Sequence, residues 1–232
     1  MRRFGRACAG ALDRREVIHF LHIGKNAGTQ INRVADRFND VSTRFRIVAH
    51  PHHETLRDLP RSGQYFFSIR NPVSRFESGF LSRQRKGQPR ILSEWTPHEA
   101  IAFSEFSDAN SLAESLFRDG ETGTKAYKAM RSISHVAMNQ HHWFVQAGQF
   151  LQLRPPLHII RQENFASDLA VFLGKVGFDE APDITDDAVA AHKNDYSGHQ
   201  KLSAGAIRNL ERWYAVDIEF YKICNEWIAK NS

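Results

Sequence analysis

The stretch FLHIGKNAGTQ, Phe20 to Gln30, closes a hydrophobic run with two glycines, a lysine and a threonine. Gly24 and Gly28 let a backbone come close to an anion, and a helix starting there would aim unpaired N–H groups and its dipole at it. Lys25 adds a mobile full charge, Thr29 a hydroxyl and Asn26 an amide donor, with Ala27 and Gln30 completing the loop. The P-loop of nucleotide triphosphatases requires Lys after its second Gly, as G-x-x-x-x-G-K-[ST]. Here Lys25 precedes Gly28-Thr29, so that motif fails. A structural turn remains open as a reading of the loop alone.

A second stretch, FFSIRNPVSRFESGF (Phe66 to Phe80), puts Arg70 at the end of an apolar run. Ser78 falls along the helix that follows. A guanidinium and a hydroxyl so placed can grip a phosphate, the Arg by a charge-assisted fork. Pairing of Arg70 with a carbonyl or carboxylate is the plainer alternative. A third, RIVAHPHHETL, offers His50, His52 and His53, the side chains best matched to proton transfer near neutral pH. These with His141 and His142 also raise a zinc site, but the spacing lacks a distant partner set and no metal is expected.

The surrounding elements must bring these stretches together. VIHFLHI (Val17 to Ile23), RFRIVA (Arg44 to Ala49), QYFFSI (Gln64 to Ile69) and LHII (Leu157 to Ile160) read as buried strands. Helical spacing follows the first through Ile31, Val34, Ala35 and Phe38. A helix opens at Asn71-Pro72, where proline's missing N–H costs nothing, and another runs through Phe165, Leu169, Phe172 and Leu173. One last helix starts after Ser203, an N-cap type, and carries Ile207, Leu210, Tyr214, Ile218 and Tyr221. Strand, loop and helix in alternation predict a single α/β domain with a mostly parallel central sheet flanked by helices. Ligands in such sheets bind beyond the carboxyl ends of the strands, where residues 24–30, 50–53 and 70–72 converge. Phe76, Phe80, Trp213 and Tyr221 read as core.

The two anion-binding stretches together resemble the sulfotransferase superfamily, nearest its carbohydrate, family 2-like branch. His22-Ile23-Gly24-Lys25-Asn26-Ala27-Gly28-Thr29 is similar to a loop of the type H-I-P-K-T-G-G-T, with Gly24, Asn26 and Ala27 in place of Pro, Thr and Gly. Arg70-Asn71-Pro72-Val73-Ser74-Arg75-Phe76-Glu77-Ser78 is similar to R-[ND]-P-x-x-R-x-x-S. HIIRQENFASDL (His158 to Leu169) and the close LSAGAIRNLERWYAVDIEFYKI (Leu202 to Ile223) extend the likeness, while residues 81–156 carry none of it. The resemblance implies a P-loop-like sulfotransferase fold and PAPS as sulfuryl donor, its 5′-phosphosulfate on residues 24–30 and its 3′-phosphate on Arg70 and Ser78. It implies Lys25 at the bridging oxygen and His50 as general base, with His52 second, because His50-Pro51-His52 resembles the H-x-H of carbohydrate 2-O-type members. Lys193, Tyr196 and Ser197 would close over the nucleotide, and the acceptor would be a hydroxyl of a carbohydrate. The alternatives are a nucleotide-dependent kinase or NTPase, and a non-catalytic binder of nucleotide or sulfated glycan.

Composition allows all three. With 41% hydrophobic and 25% charged residues the chain is of the soluble globular type, and its formal charge of +5 suits a phosphorylated ligand. Nucleic acid is not expected, because no basic tract or recognition signature accompanies that charge. Residues 1–16 read as a loose tail and 17–232 as the domain, within which 86–152 is mostly helical and shapes the acceptor side. Arg83, Arg85, Lys86 and Arg90 there either attract an anionic glycan or form a solvated basic face. Cys8 and Cys224 suggest no disulfide framework, no run is long enough for a membrane helix, and a cytoplasmic location is expected.

Overall fold

The run after Glu16 becomes an inner strand of a four-stranded sheet in a computed structural model that describes residues 13–89, 91–144, 149–178 and 200–231. The strands are β1 (Glu16–Leu21), β2 (Phe45–Ala49), β3 (Gln64–Ile69) and β4 (His158–Arg161). They lie in the order β2-β1-β3-β4 with every pair parallel. Such a sheet is covered on both faces, and the strands are apolar on both accordingly. Ile18, Phe20, Phe66 and Ile160 face α1 (Gly28–Val41) and α7 (Phe165–Lys175). Leu21, Phe67, Ile69 and Ile159 pack with Phe150 of the short α6 (Phe150–Leu153) and with Phe220, Cys224 and Ile228 of α9 (Ala215–Asn231).

Between β3 and β4 lie α2 (Pro72–Gln84), α3 (Pro97–Glu105), α4 (Ala109–Ser115), α5 (Gly120–Ser132) and a 3₁₀ turn, Gln140–Trp143. With α8 (Ala204–Trp213) they enclose a separate core of Phe76, Phe80, Leu112, Met130, Leu210 and Tyr214. Arg83 belongs to this core, not to a basic face: it is 6% exposed and grips Glu99 at 2.7 and 2.9 Å. Lys86 is paired too, with Glu94 at 2.6 Å. Arg90 and Cys8 lie outside the described residues, and Cys224 is a free, buried thiol.

The expected strands are found, β3 with the same bounds and the others with ends shifted by at most two residues; β1 stops before Ile23. The expected single last helix is two. α8 ends at Tyr214, which leaves the helical path (φ −96°, ψ 26°) while its hydroxyl donates to the Val136 carbonyl at 2.8 Å. The buried face is then Ala206, Leu210, Tyr214, Asp217 and Phe220, so Ile207 is exposed and Asp217 faces inward. Phe76 and Phe80 are core as expected, whereas Trp213 and Tyr221 are half-buried. Among the described residues no helix is long and apolar enough to cross a membrane.

The chain leaves β1 toward β2 on one side, while β3 lies on the other. Carboxyl ends that diverge in this way open a crevice, here between β1 and β3. The β2–β3 connection crosses without a helix and is fastened instead by Arg154, whose guanidinium donates to the carbonyls of Leu56 (3.0 Å), Pro60 (2.6 Å) and Gly63 (3.2 Å). That fastening sets where the loop histidines stand.

Candidate active site

Residues 22–28 form a tight loop in which Lys25 (φ 71°) and Ala27 (φ 62°) are both left-handed. Such turns gather successive N–H groups into an anion-binding concavity. Ala27 is also the N-cap of α1 and has no side chain to occupy the first-turn donors. A side chain with a Cβ pays roughly 1–2 kcal/mol in this backbone region. Glycine would remove that strain at an unfolded-state cost of about 0.4–1 kcal/mol. Ala27→Gly is therefore expected to stabilise by about 0.5 kcal/mol, raising Tm in thermal unfolding by about 1–2 °C. A fall in Tm would mean that the Ala27 methyl packs better than its backbone angle suggests.

The two glycines serve neighbours inside the protein. A Cβ on Gly28 would lie 1.7 Å from Nε2 of His22, whose ring crosses the start of α1, and a Cβ on Gly24 would lie 3.3 Å from Nδ1 of His135. Asn26 is fully buried, and its amide donates to the Ser68 carbonyl (2.8 Å) and to Oε1 of Gln140 (2.7 Å). Its side-chain donors are thus taken up by the scaffold, and what Asn26 offers the loop is its backbone.

Gln140 joins this loop to the second stretch. Its Oε1 also accepts from the Arg70 N–H (3.0 Å) and its Nε2 donates to the Arg70 carbonyl (2.7 Å). Asp217 in turn accepts from the N–H groups of Gln140 (2.6 Å) and His141 (3.0 Å) and from the His141 ring (2.7 Å). So α9 fixes the 3₁₀ turn, and the turn fixes the ends of β1 and β3 against each other. Glu163 closes the rim: it accepts from the Asn71 N–H at 2.8 Å and from the Tyr221 hydroxyl at 3.2 Å.

Three cations gather at this crevice. Arg75, 2% exposed, donates to the carbonyls of Gly24 (3.0 Å) and Met138 (2.7 Å), and its Nη2 is buried without a partner. Arg70 meets Ser74 Oγ at 3.0 Å and the Lys25 carbonyl at 3.5 Å. Burial, then the charges of Arg70, Arg85 and Arg75, push the Lys25 ammonium down to about 8. Among the described residues none of Lys25, Arg70 and Arg75 has a carboxylate partner. Uncompensated buried positive charge is costly, and a phosphorylated anion in the crevice would relieve it. Ser78, one turn beyond Ser74 on the same side of α2, is 3% exposed, and the hydroxyl that bonds Arg70 is that of Ser74.

The histidines divide into two groups. His50 is engaged at both ring nitrogens, Nδ1 with the Glu54 carboxylate and Nε2 with His19 Nδ1 at 2.9 Å. A carboxylate only accepts, so Nδ1 of His50 donates to Glu54, and its Nε2 is taken up by His19. His52 lies with its ring 3.8 Å from that of His22 and its Nδ1 3.3 Å from the His22 carbonyl. That carbonyl places the proton on Nδ1 and leaves Nε2 with its lone pair. Trp143 anchors the backbone here, its indole N–H donating to the His52 carbonyl at 3.0 Å. His52 is solvent-exposed at the mouth of the crevice, yet partial desolvation of its ring, with the charge of Lys25 added, outweighs the His22 carbonyl and lowers its pKa, which favours the neutral form at pH 7. His53 is exposed. Lys193, Tyr196 and Ser197 lie outside the described residues. Gln140, Ser74, Arg75 and His135 had no signal of their own, apart from the second Arg of R-N-P-x-x-R.

A hollow of about 460 Å³ lined by Phe38, Val41, Arg44, Val176 and Phe178 lies at the far end of the sheet, by the start of β2, and shares no residue with this crevice. Among the described residues no cluster of three or more His, Cys, Asp or Glu is arranged to hold a metal ion.

A parallel sheet whose switch point carries a helix-start loop, cations without carboxylate partners and an imidazole beside them has the features that suit a polyanionic ligand. The family follows from comparison with known proteins: the family model described as Sulfotransferase family matches residues 11–222. The chain belongs to the sulfotransferase family, in its family 2-like branch, and is an enzyme of sulfuryl transfer that draws on a sulfonate donor such as PAPS. No match was found among curated proteins.

Proposed function

We propose that the protein transfers the sulfuryl group of PAPS to a carbohydrate hydroxyl, with His52 as general base. The observation that carries this reading is the set of uncompensated cations, Lys25, Arg70 and Arg75, at the left-handed loop, with a neutral His52 beside it. The 5′-phosphosulfate suits the backbone of residues 24–30 and the Lys25 ammonium. The 3′-phosphate suits Arg70 with Ser74, whose hydroxyl already meets the Arg70 Nε. PAPS supplies an activated sulfuryl group whose bond to the bridging phosphate oxygen breaks as a bond from sulfur to the acceptor oxygen forms. The acceptor proton goes to Nε2 of His52, and Lys25 stabilises the charge that develops on the bridging oxygen. The choice of a carbohydrate rests on the resemblance of His50-Pro51-His52 to the H-x-H of carbohydrate 2-O-type members.

A thermal shift with PAP, the desulfated donor, tests the cofactor on wild type and Arg70→Ala, with Mg-ATP as control. Ligand at about 100 times Kd stabilises by roughly 2.7 kcal/mol, several degrees for a domain this size. The expected result is a shift with PAP that Arg70→Ala abolishes or greatly reduces. A shift with Mg-ATP and none with PAP would replace this reading with a nucleotide kinase or NTPase. PAP binding with no turnover across a panel of hydroxyl acceptors would favour a non-catalytic binder.

A further inference from the structure

His135 stands beside the loop, on the segment that joins α5 to the 3₁₀ turn. Its backbone is left-handed, at φ 66°, where a residue other than glycine is strained. Neighbours hold it there from both sides. The Ser134 N–H donates to Glu99 at 3.0 Å, the Val136 carbonyl accepts from Tyr214 at 2.8 Å, and the Met138 carbonyl accepts from Arg75 at 2.7 Å. Gly79 leaves the room, since a Cβ there would lie 3.3 Å from the His135 carbonyl oxygen.

What this backbone presents is the imidazole. Its Nδ1 sits 3.3 Å from where a Gly24 Cβ would be, and the ring stands edge-on to that of His52 with centroids 6.4 Å apart. Among the described residues neither ring nitrogen has a hydrogen-bond partner. A half-buried ring whose nitrogens no protein group takes up, on a strained backbone that sets it beside the loop, is available to a ligand there. Burial, then the charges of Lys25 and Arg75, push its pKa down to about 3, so the ring is neutral and has one N–H to give.

We propose that His135 is a further catalytic residue, an imidazole N–H that hydrogen-bonds a peripheral oxygen of the sulfuryl group between Lys25 and His52. The inference rests on the reading of the loop as a PAPS site. An acceptor oxygen that gives its proton to His52 must approach sulfur from the His52 side, and His135 borders the same gap. During transfer the sulfur–phosphate oxygen bond breaks, the sulfur–acceptor bond forms and the acceptor proton goes to His52. His135 neither gains nor loses a proton.

PAPS and PAP differ only in the sulfuryl group, so calorimetric titration of both isolates this contact without an acceptor. His135→Ala is expected to bind PAP within about twofold of wild type and PAPS about tenfold more weakly, the usual worth of one such bond. His135→Gly, free of the left-handed strain, should do the same if the alanine variant folds poorly. Gly24→Ala, which crowds the ring, should weaken PAPS selectively as well. Equal weakening of both ligands would overturn the proposal and leave His135 as a prop for the loop, and so would unchanged affinity for both. A wild type that binds neither ligand would instead remove the PAPS reading, and this role with it.

Discussion

His52→Ala is expected to lower kcat by roughly 10²- to 10⁴-fold while leaving PAP affinity close to that of wild type. The effect falls mainly on turnover because the ring's one hydrogen bond to the loop is the long 3.3 Å one to the His22 carbonyl, and its backbone is tied down by Trp143. His50→Ala should act differently. It breaks the Glu54–His50–His19 chain and leaves His19, 8% exposed, without its partner, so the main effect falls on stability. A variant pair in which His50→Ala is inactive and His52→Ala turns over normally would reverse the assignment.

The same arrangement predicts a bell-shaped pH profile for kcat/KM of the donor, which reports the free enzyme. The base must be neutral, and desolvation lowers the His52 pKa, so the acid limb falls below 6.5. The ammonium must be charged, and Lys25 is pushed down to about 8, so activity declines again as pH rises through that value. Lys25→Arg should keep the charge and abolish the alkaline limb. An unmoved limb in that variant would exclude Lys25 as its source.

The parts of this site that are legible in the sequence are those whose chemistry and position are local. Arg70 reads as the end of a strand because Gln64 to Ile69 is a buried run and Asn71-Pro72 opens the next helix, where Asn71 caps the N–H groups of Val73 and Ser74. Gln140 was illegible for the opposite reason. Its partners are 70 and 114 residues away, in a stretch without periodic pattern. His135 becomes visible only once α5 returns it to Gly24. The last helix misled through periodicity: Ile207, Ile218 and Tyr221 fit an apolar stripe, but the break at Tyr214 turns Asp217 inward to serve two backbone N–H groups. Spacing along α2 picks out Ser78, while the hydroxyl that bonds Arg70 is one turn earlier, on Ser74.

Gln140→Ala is expected to cost about 3 kcal/mol, because it removes one acceptor shared by two donors and one donor, all in the interior. Asn26 Nδ2, the Arg70 N–H and the Arg70 carbonyl each lose a partner, and a buried group so stranded costs about 1–3 kcal/mol. For a chain this size Tm should fall by at least about 6 °C in thermal unfolding. The loss should reach the donor site as well, since Gln140 is the side chain that bonds both the loop at Asn26 and the strand end at Arg70. PAP affinity is expected to drop about tenfold or more. A cycle of Gln140→Ala with Asn26→Ala separates this linkage from general destabilisation. Coupled residues should show an interaction energy of about 0.5–3 kcal/mol in stability, and the double variant should bind PAP little worse than either single one. Additive losses in both measurements would mean that loop and strand end are held independently, and that α9, through Asp217, supports the turn without setting the register of the site.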